Sequence, residues 1–311
     1  MKKYKAVILF SGGLDSILAV KILQEQKIEL LGICFKSYFF DAKQAKKFAE
    51  MINLPLKVVD FSKQHLEIVK NPKYGYGKAI NPCIDCHTLM LKIAKKKFAK
   101  QIENNDIIFV ANGDVLNQRP MSQNKQALEI IEKNSGLKGY LLRPLSAKLL
   151  NPTIAEQKKY IDRKKLLDIQ GKSRTRQSAL IKKYKIKQYP SPSGGCILTD
   201  KEFAKRMRSL FEIYPEFGYN DIRLLKLGRH FWEKKQKIKI IIGRNEKENK
   251  QIKKLAIADD ILVEMKNYTG PITLIRNYRK SRITQSTLKQ AKKLTQFYST
   301  KARNKKDVKF I

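Results

Sequence analysis

Acidic residues are scarce in this chain: 28 Asp and Glu stand against 66 Lys and Arg in 311 residues, a formal balance of +38. A lysine-rich coding bias would normally raise Glu as well, so the deficit of acids favours a polyanionic partner, nucleic acid, over a merely solvated basic surface. The basic excess is heaviest after Asn151. Long hydrophobic runs are missing too. The apolar stretches stop well short of the ~20 residues that a membrane span needs. The opening MKKYKAVILFSGG has no A-x-A-like cleavage site. A soluble, cytoplasmic chain without a membrane partner is therefore expected. Four cysteines are too few for a disulfide scaffold, and in a reducing compartment a spaced pair more often binds metal or does redox work. What the chain does have is 42% apolar residues, enough for a sizeable core, and a length that suggests two domains.

Hydrophobic patterning divides the chain. Lys5 to Phe10 form a short apolar run that stops at Ser11-Gly12-Gly13, and Leu14 to Gln24 follow with helical spacing. Further strands are expected over Ile28 to Phe35, Leu56 to Phe61 and Asp106 to Ala111, with helices over Asp41 to Ile52 and around Thr88 to Ile102. Strands alternating with helices imply right-handed crossovers and an open parallel sheet covered on both faces, an α/β domain. Thr153 to Gln170 read as helical, and the basic stretch after it carries no strand signal. Pro190 to Gly195 read as an ordered loop just before Cys196. Short strands at Lys237 to Ile242, Ile261 to Met265 and Ile272 to Ile275, with a helix near Glu246 to Ala258, read as a small α+β domain. Thr287 to Ile311 start helical and end as a basic tail. The expected boundaries are a catalytic domain over 1–189, a connecting segment with the third cysteine over 190–222, and a basic domain over 223–311.

Ser11, Gly12, Gly13, Leu14, Asp15 and Ser16 fall between a strand and a helix, where backbone N–H groups and a helix N-terminus can cradle an anion. Glycines let the backbone approach phosphate, and the two serines add hydroxyl donors. Asp15 would repel phosphate unless it holds a divalent cation or meets a partner donor, which hints at Mg²⁺. The competing reading is an ordinary strand-to-helix turn with a Ser or Asp cap. S-G-G-x-D-S after the first strand resembles the pyrophosphatase loop of the N-type ATP pyrophosphatases. The Walker-type G-x-x-x-x-G-K-[ST] is absent. The resemblance implies an adenine nucleotide α-hydrolase-like fold, ATP at Ser11, Gly12, Gly13, Asp15, Ser16 and Gly113, and adenylation of a carbonyl or amide oxygen with release of pyrophosphate.

Cys83 and Cys86, in Asn81-Pro82-Cys83-Ile84-Asp85-Cys86-His87, have the two-residue spacing of metal knuckles and precede a helix. Cys196, after Ser193-Gly194-Gly195, is the best third thiol, and three thiolates with a vacant position suit a 4Fe-4S cluster. Rival readings are a zinc site that adds His87, a redox or persulfide pair, and c-type haem attachment, which would need export. Cys34, inside an apolar strand, reads as a buried small hydrophobe.

The pyrophosphatase loop, the early C-x-x-C and the later Cys196 together resemble the iron–sulfur-dependent tRNA 2-thiouridine and 4-thiouridine synthases over roughly residues 5 to 200. Asn112 to Gln123 and Leu142 to Ser146 look like the family's post-strand substrate loops. The resemblance implies an ATP-dependent tRNA uridine sulfurtransferase with Asp15, Cys83, Cys86 and Cys196 as catalytic residues and the three cysteines as cluster ligands. Its partners would be tRNA and a sulfur donor, sulfide or a persulfide carrier, and a homodimer would fit the family. Neither a THUMP-type nor a rhodanese domain is found. Gly243-Arg244-Asn245 with Asn249 resembles the G-R-N-x-x-x-N signature of NFACT-type RNA-binding domains. Arg244 and Asn245, with Arg174, Arg176, Lys182 and Lys183, are the RNA-contact candidates, against the plainer readings of an Asn cap and a solvated helix face. Other readings are a persulfide-based or zinc-containing modifying enzyme, an ammonia-ligating pyrophosphatase, and a non-catalytic RNA-binding adaptor.

Overall fold

Short β-rich runs separated by helical stretches fold as the alternation requires. The structure, a computed structural model, describes residues 5–104, 107–190, 196–233, 235, 237–279 and 282–311. It separates into two units, residues 1–199 and 200–311. The first contains β1 (Lys5–Leu9), α1 (Leu14–Glu25), β2 (Glu29–Lys36), α2 (Lys43–Met51), β3 (Leu56–Asp60), α3 (Ser62–Lys70), α4 (Cys83–Lys97), α5 (Ala99–Glu103), β4 (Phe109–Ala111), α6 (Lys125–Ser135), β5 (Leu141–Leu142), α7 (Ile154–Gln157) and α8 (Thr175–Lys183).

The five strands are parallel and run β3-β2-β1-β4-β5. Side-chain alternation along β1 sends Ala6 and Ile8 to one face, packed with Ile17 and Val20 of α1 and Phe48 of α2, and Val7 to the other, packed with Cys86 and Ala94 of α4. Leu91 of α4 and Ile131 of α6 complete the second layer against Val110. The order of strand addition reverses at β1, whose neighbours are β2 and β4. A crevice at the carboxyl ends of β1 and β4 follows, the place where open α/β sheets bind ligands.

Two expectations need correction. Thr153 to Gln170 do not form one helix. Only α7 and a single 3₁₀ turn over Arg163–Lys165 are helical there. Glu156 closes a capping box with Thr153 and also pairs with Arg163, and Lys159 adopts a left-handed φ of 57°, so the chain folds back after one turn. The fourth strand is shorter than expected, Phe109–Ala111, while Asp106 and the loop residues 191–195 lie outside the described residues.

The second unit contains α9 (Lys201–Ile213), α10 (Tyr219–Leu225), β6 (Arg229–Glu233), β7 (Ile238–Ile242), α11 (Glu246–Leu255), β8 (Ile261–Val263), β9 (Thr273–Asn277) and α12 (Gln285–Phe297). Its sheet is antiparallel, in the order β6-β7-β9-β8. Ile241 and Leu274 pack under Leu224 of α10 and Ile252 of α11, whereas Ile240, Ile242 and Ile275 pack against Ala291 of α12. The α+β expectation therefore holds. α9 and α10, within the stretch read as a connecting segment, belong to this unit. No helix among the described residues is long and apolar enough to cross a membrane.

Candidate functional site

The turn after β1 presents an open helix end. Gly13 is the N-cap of α1 and no side chain caps it, so the first backbone N–H groups of α1 are left for an anion. Ser16 Oγ donates to the Gly13 carbonyl oxygen at 2.8 Å, and the Gly13 N–H donates to Ser11 Oγ at 3.2 Å, which shapes the loop. Gly12 adopts φ 71°, and a Cβ there would lie 2.8 Å from the Ala45 backbone. That glycine is required by its own conformation and by α2, whereas a Cβ on Gly13 would approach only Ser11 Oγ, at 3.2 Å. Asp15 meets amide donors on both oxygens, Gln118 Nε2 at 3.2 Å and Gln177 Nε2 at 3.5 Å. These are the partner donors that the sequence left open beside a cation.

The segment after β4 joins this turn to the cysteines. A Cβ on Gly113 would lie 2.7 Å from the Ser16 nitrogen, so the loop packs directly on the start of α1. Gln118 of the same loop reaches Asp15, and Met121 Sδ lies 3.9 Å from Asn81 Nδ2, the amide that donates to Cys83 Sγ at 3.0 Å. Asp114, buried, accepts from Asn112 at 2.6 Å and Gln123 at 3.0 Å, and lies 3.8 Å from His87 Nδ1. Burial alone would raise the Asp114 carboxyl. The hydrogen bond and charge of His87, with Arg143 and Gln123, instead hold it well below the usual carboxylate range.

Cys83 opens α4 and Cys86 sits one turn on, so both lie on one helix face. Cys196 comes to them through a backbone bond: the Ile80 N–H donates to the Leu198 carbonyl oxygen at 3.1 Å. Burial, then the nearness of Cys196, Cys83 and Asp85, pushes the Cys86 thiol well up. Burial also raises Cys83, while the Asn81 amide and the Arg119 charge pull it part of the way back. None of the four cysteines is in a disulfide, and Cys34 is buried in β2 as expected. The glycines expected to carry Cys196 inward, Gly194 and Gly195, lie outside the described residues. His87, considered with the thiols for a zinc set, turns its Nδ1 toward Asp114 at 3.8 Å. Among the described residues no three His, Cys, Asp or Glu side chains are grouped to hold a metal ion.

The basic candidates divide by what already holds them. On α8, Gln177 is buried toward Asp15 while Arg176 and Lys182 are exposed. Arg176 pairs with Asp168 at 2.6 Å and Lys183 with Glu25 at 2.8 Å. Arg174 is the half-buried N-cap. Arg143 and Ser146, in the second post-strand segment, are structural: Arg143 bonds Glu132 and the Leu128 carbonyl, and Ser146 bridges Leu116 and Ile169. In the second unit Asn245 caps α11, its Oδ1 accepting from the Glu248 N–H at 3.0 Å. Asn249 ties α11 to Gly270 and Ile272, and a Cβ on Gly243 would collide with it. Arg244 is paired with Glu248 and keeps a partly exposed side chain. The glycine–arginine–asparagine signature is thus first a capping device. Sequence reasoning placed Asn81 in the cysteine motif and Asp114 and Gln118 in the post-strand loop without giving them roles, and it passed over Gln177.

Comparison with known proteins follows the same division. A family model described as the tRNA methyl transferase HUP domain matches residues 4–200, and one described as the NFACT protein RNA binding domain matches residues 228–311. The tRNA-specific 2-thiouridylase MnmA of Helicobacter acinonychis is 34% identical over 124 residues, 33% of this chain and 36% of that protein. The protein of the same name from Leptospira interrogans is 24% identical over 146 residues, 36% of this chain and 39% of that one. The chain therefore spans only about a third of the length of these curated relatives. A 4-thiouridine synthetase solved in complex with RNA and bound ATP aligns over 72% of this chain and 52% of its own at 17% identity, with a TM-score of 0.38. Since the first model accounts for residues 4–200 of 311, the chain belongs to the tRNA methyl transferase HUP domain family.

Proposed function

We propose that this protein is an ATP-dependent tRNA uridine sulfurtransferase. The observation that carries the reading is the loop after β4, which touches both reactive elements: Gly113 and Gln118 meet the β1 turn, and Met121 meets the Asn81 amide that holds Cys83. An uncapped helix end suited to phosphates and the cysteine-bearing start of α4 thus adjoin one loop. The 2-thiouridylases matched above and the RNA-binding family match of the second unit support tRNA as substrate.

In this reading the ATP phosphates lie on the N–H groups at the start of α1, with Ser11, Gly12, Gly13, Ser16 and Gly113 lining the approach. A uridine carbonyl oxygen attacks the α-phosphorus, pyrophosphate leaves, and fixed N–H dipoles stabilise the developing charge. Asp15 is the carboxylate that would meet the nucleotide's Mg²⁺; no step depends on that ion here. A 4Fe-4S cluster would take Cys83, Cys86 and Cys196 as its ligands. The thiols interact, yet as described they are not grouped as a metal site, so the sulfur step is assigned to the thiols themselves. A persulfide on Cys83 or Cys196, its outer sulfur transferred from an external persulfide carrier that is left as a thiol, attacks the adenylated ring carbon and expels AMP. The buried Cys86 thiol then attacks the carrier cysteine's sulfur, which releases thiouridine and leaves a protein disulfide for an external thiol to reduce. Arg174, Arg176, Lys182 and Arg244 are assigned to tRNA phosphates.

The test compares wild type with Cys83→Ala, Cys86→Ala and Cys196→Ala. Thiouridine formation should fall at least ~100-fold in Cys86→Ala, while tRNA-dependent pyrophosphate release persists. Loss of pyrophosphate release in all three variants would refute the division of labour. Iron and acid-labile sulfide in an anaerobic wild-type preparation, lost in the variants, would move the sulfur step to a cluster.

A further inference from the structure

The end of α12 carries a group to which neither adenylation nor sulfur transfer gives a task. Phe297, its last residue, exposes 53% of its surface. Arg303 turns back over it: Nε donates to the Phe297 carbonyl oxygen at 2.7 Å, and the guanidinium carbon lies 5.1 Å from the ring centroid. Tyr298 meets Phe297 edge to face, with centroids 5.0 Å apart and planes at 85°. Arg229 of β6 lies 4.4 Å over the Tyr298 ring. Four planar groups, Arg303, Phe297, Tyr298 and Arg229, therefore form one array.

Core packing does not account for Phe297. The inward face of α12 is built by Leu288, Ala291, Leu294 and Tyr298, whereas the Phe297 ring meets the Arg303 guanidinium and the Tyr298 ring and is otherwise exposed. The surroundings are cationic: residues 285–311 contain eight Lys and Arg and one acid, Asp307. That acid is engaged by the Tyr268 hydroxyl at 2.8 Å. Aromatic rings and guanidinium planes in a basic setting hold the exposed π-faces of unpaired bases, which a duplex keeps stacked inside.

We infer that Phe297 and Arg303 form a stacking platform for an unpaired base of RNA bound to the second unit, with Tyr298 and Arg229 bracing it. This deepens the RNA-binding reading above and rests on it. Lysines around the platform attract the phosphates of any sequence, and the platform adds a preference for strands whose bases are free.

Fluorescence anisotropy with the full chain tests this, using a labelled single-stranded RNA and an abasic strand of equal length and charge. Wild type should bind the base-bearing strand about ten-fold more tightly. Phe297→Leu keeps apolar bulk but removes the π-face, and should bind both strands with the weaker affinity. Phe297→Trp should restore the preference, and Arg303→Ala should reduce it. A Phe297→Leu protein that keeps the preference overturns the platform, as does a wild type that binds both strands equally, and either result leaves RNA binding intact. A wild type that binds neither strand overturns the RNA-binding reading and the platform together.

Discussion

The two units handle buried polarity in opposite ways. In the first, polar groups gather at the carboxyl edge of a parallel sheet, where successive loops bring residues distant in sequence onto one crevice: Asp15 with Gln118 and Gln177, Asn81 with Cys83, Asp114 with His87. In the second, charges are buried under the antiparallel sheet. Lys239 of β7 is fully buried with its ammonium 4.6 Å from the Trp232 ring, and Arg276 of β9 is held by Asp221 and Asp260. A parallel sheet ends all its strands on one side and so concentrates chemistry at a single edge. An antiparallel sheet has no such edge, and its outward features lie on helix ends and rims.

Predictions follow from that contrast, the largest first. Gly113→Val would force a side chain into the backbone of Asp15 and Ser16 and should lower ATP-dependent pyrophosphate release by at least ~100-fold with tRNA affinity unchanged. Retained activity would break the link between the two loops.

His65 lies buried among Phe39, Phe40 and Phe61, stacked 4.8 Å from the last, and burial lowers its pKa to about 4. The unfolded chain takes up this proton before the folded chain does. The first unit should therefore lose stability as pH falls from the ordinary histidine range toward 4, by about 3 kcal/mol in total. His65→Phe should flatten that slope in chemical denaturation at pH 7 and pH 4.5.

The second unit should respond at the other end of the scale. Burial, with Arg276 and Arg206 nearby and only Asp221 opposing, holds the Lys239 amine well below the usual lysine range. Between the lowered pKa and the ordinary lysine value unfolding binds a proton, so the cost of Lys239 shrinks as pH rises through that window. Lys239→Met should stabilise the unit by about 2 kcal/mol at pH 7 and by less at pH 10. A destabilised variant would show that the ammonium is well satisfied by Trp232 and Asp221. The smallest effect is expected at Arg244, whose partly exposed pair with Glu248 is worth up to about 1 kcal/mol. Arg244→Ala should change the melting temperature little, and its effect on tRNA affinity measures whether the guanidinium also meets phosphate.

How much was legible beforehand differs between the elements. β2, β3, β7 and α11 were readable within a few residues because apolar runs and 3.6-residue spacing are local properties. α3, α10, β5 and β6 were not, since short elements carry too few periods to stand out from loops, and α6 and α9, of 11 and 13 residues, also went unread. The helix expected over Thr153 to Gln170 failed because one carboxylate, Glu156, was claimed by Thr153 and Arg163, a competition that periodicity does not record.

The sequence by itself determined the alternation that makes the first sheet parallel, the glycine turn that opens α1, the i, i+3 placement of Cys83 and Cys86, and the cationic character of the whole surface. These follow from neighbours within a turn or a strand, or from composition. Only the tertiary structure decided that Cys196 comes near enough to Cys86 for the two thiols to interact, that Gly113 serves to seat one loop on another, that Asp15 is held by amides 103 and 162 residues away, and that Asn245 is a cap. Those outcomes depend on which loops the sheet order brings together, and chain closure over such distances leaves no periodic trace in the residues it joins.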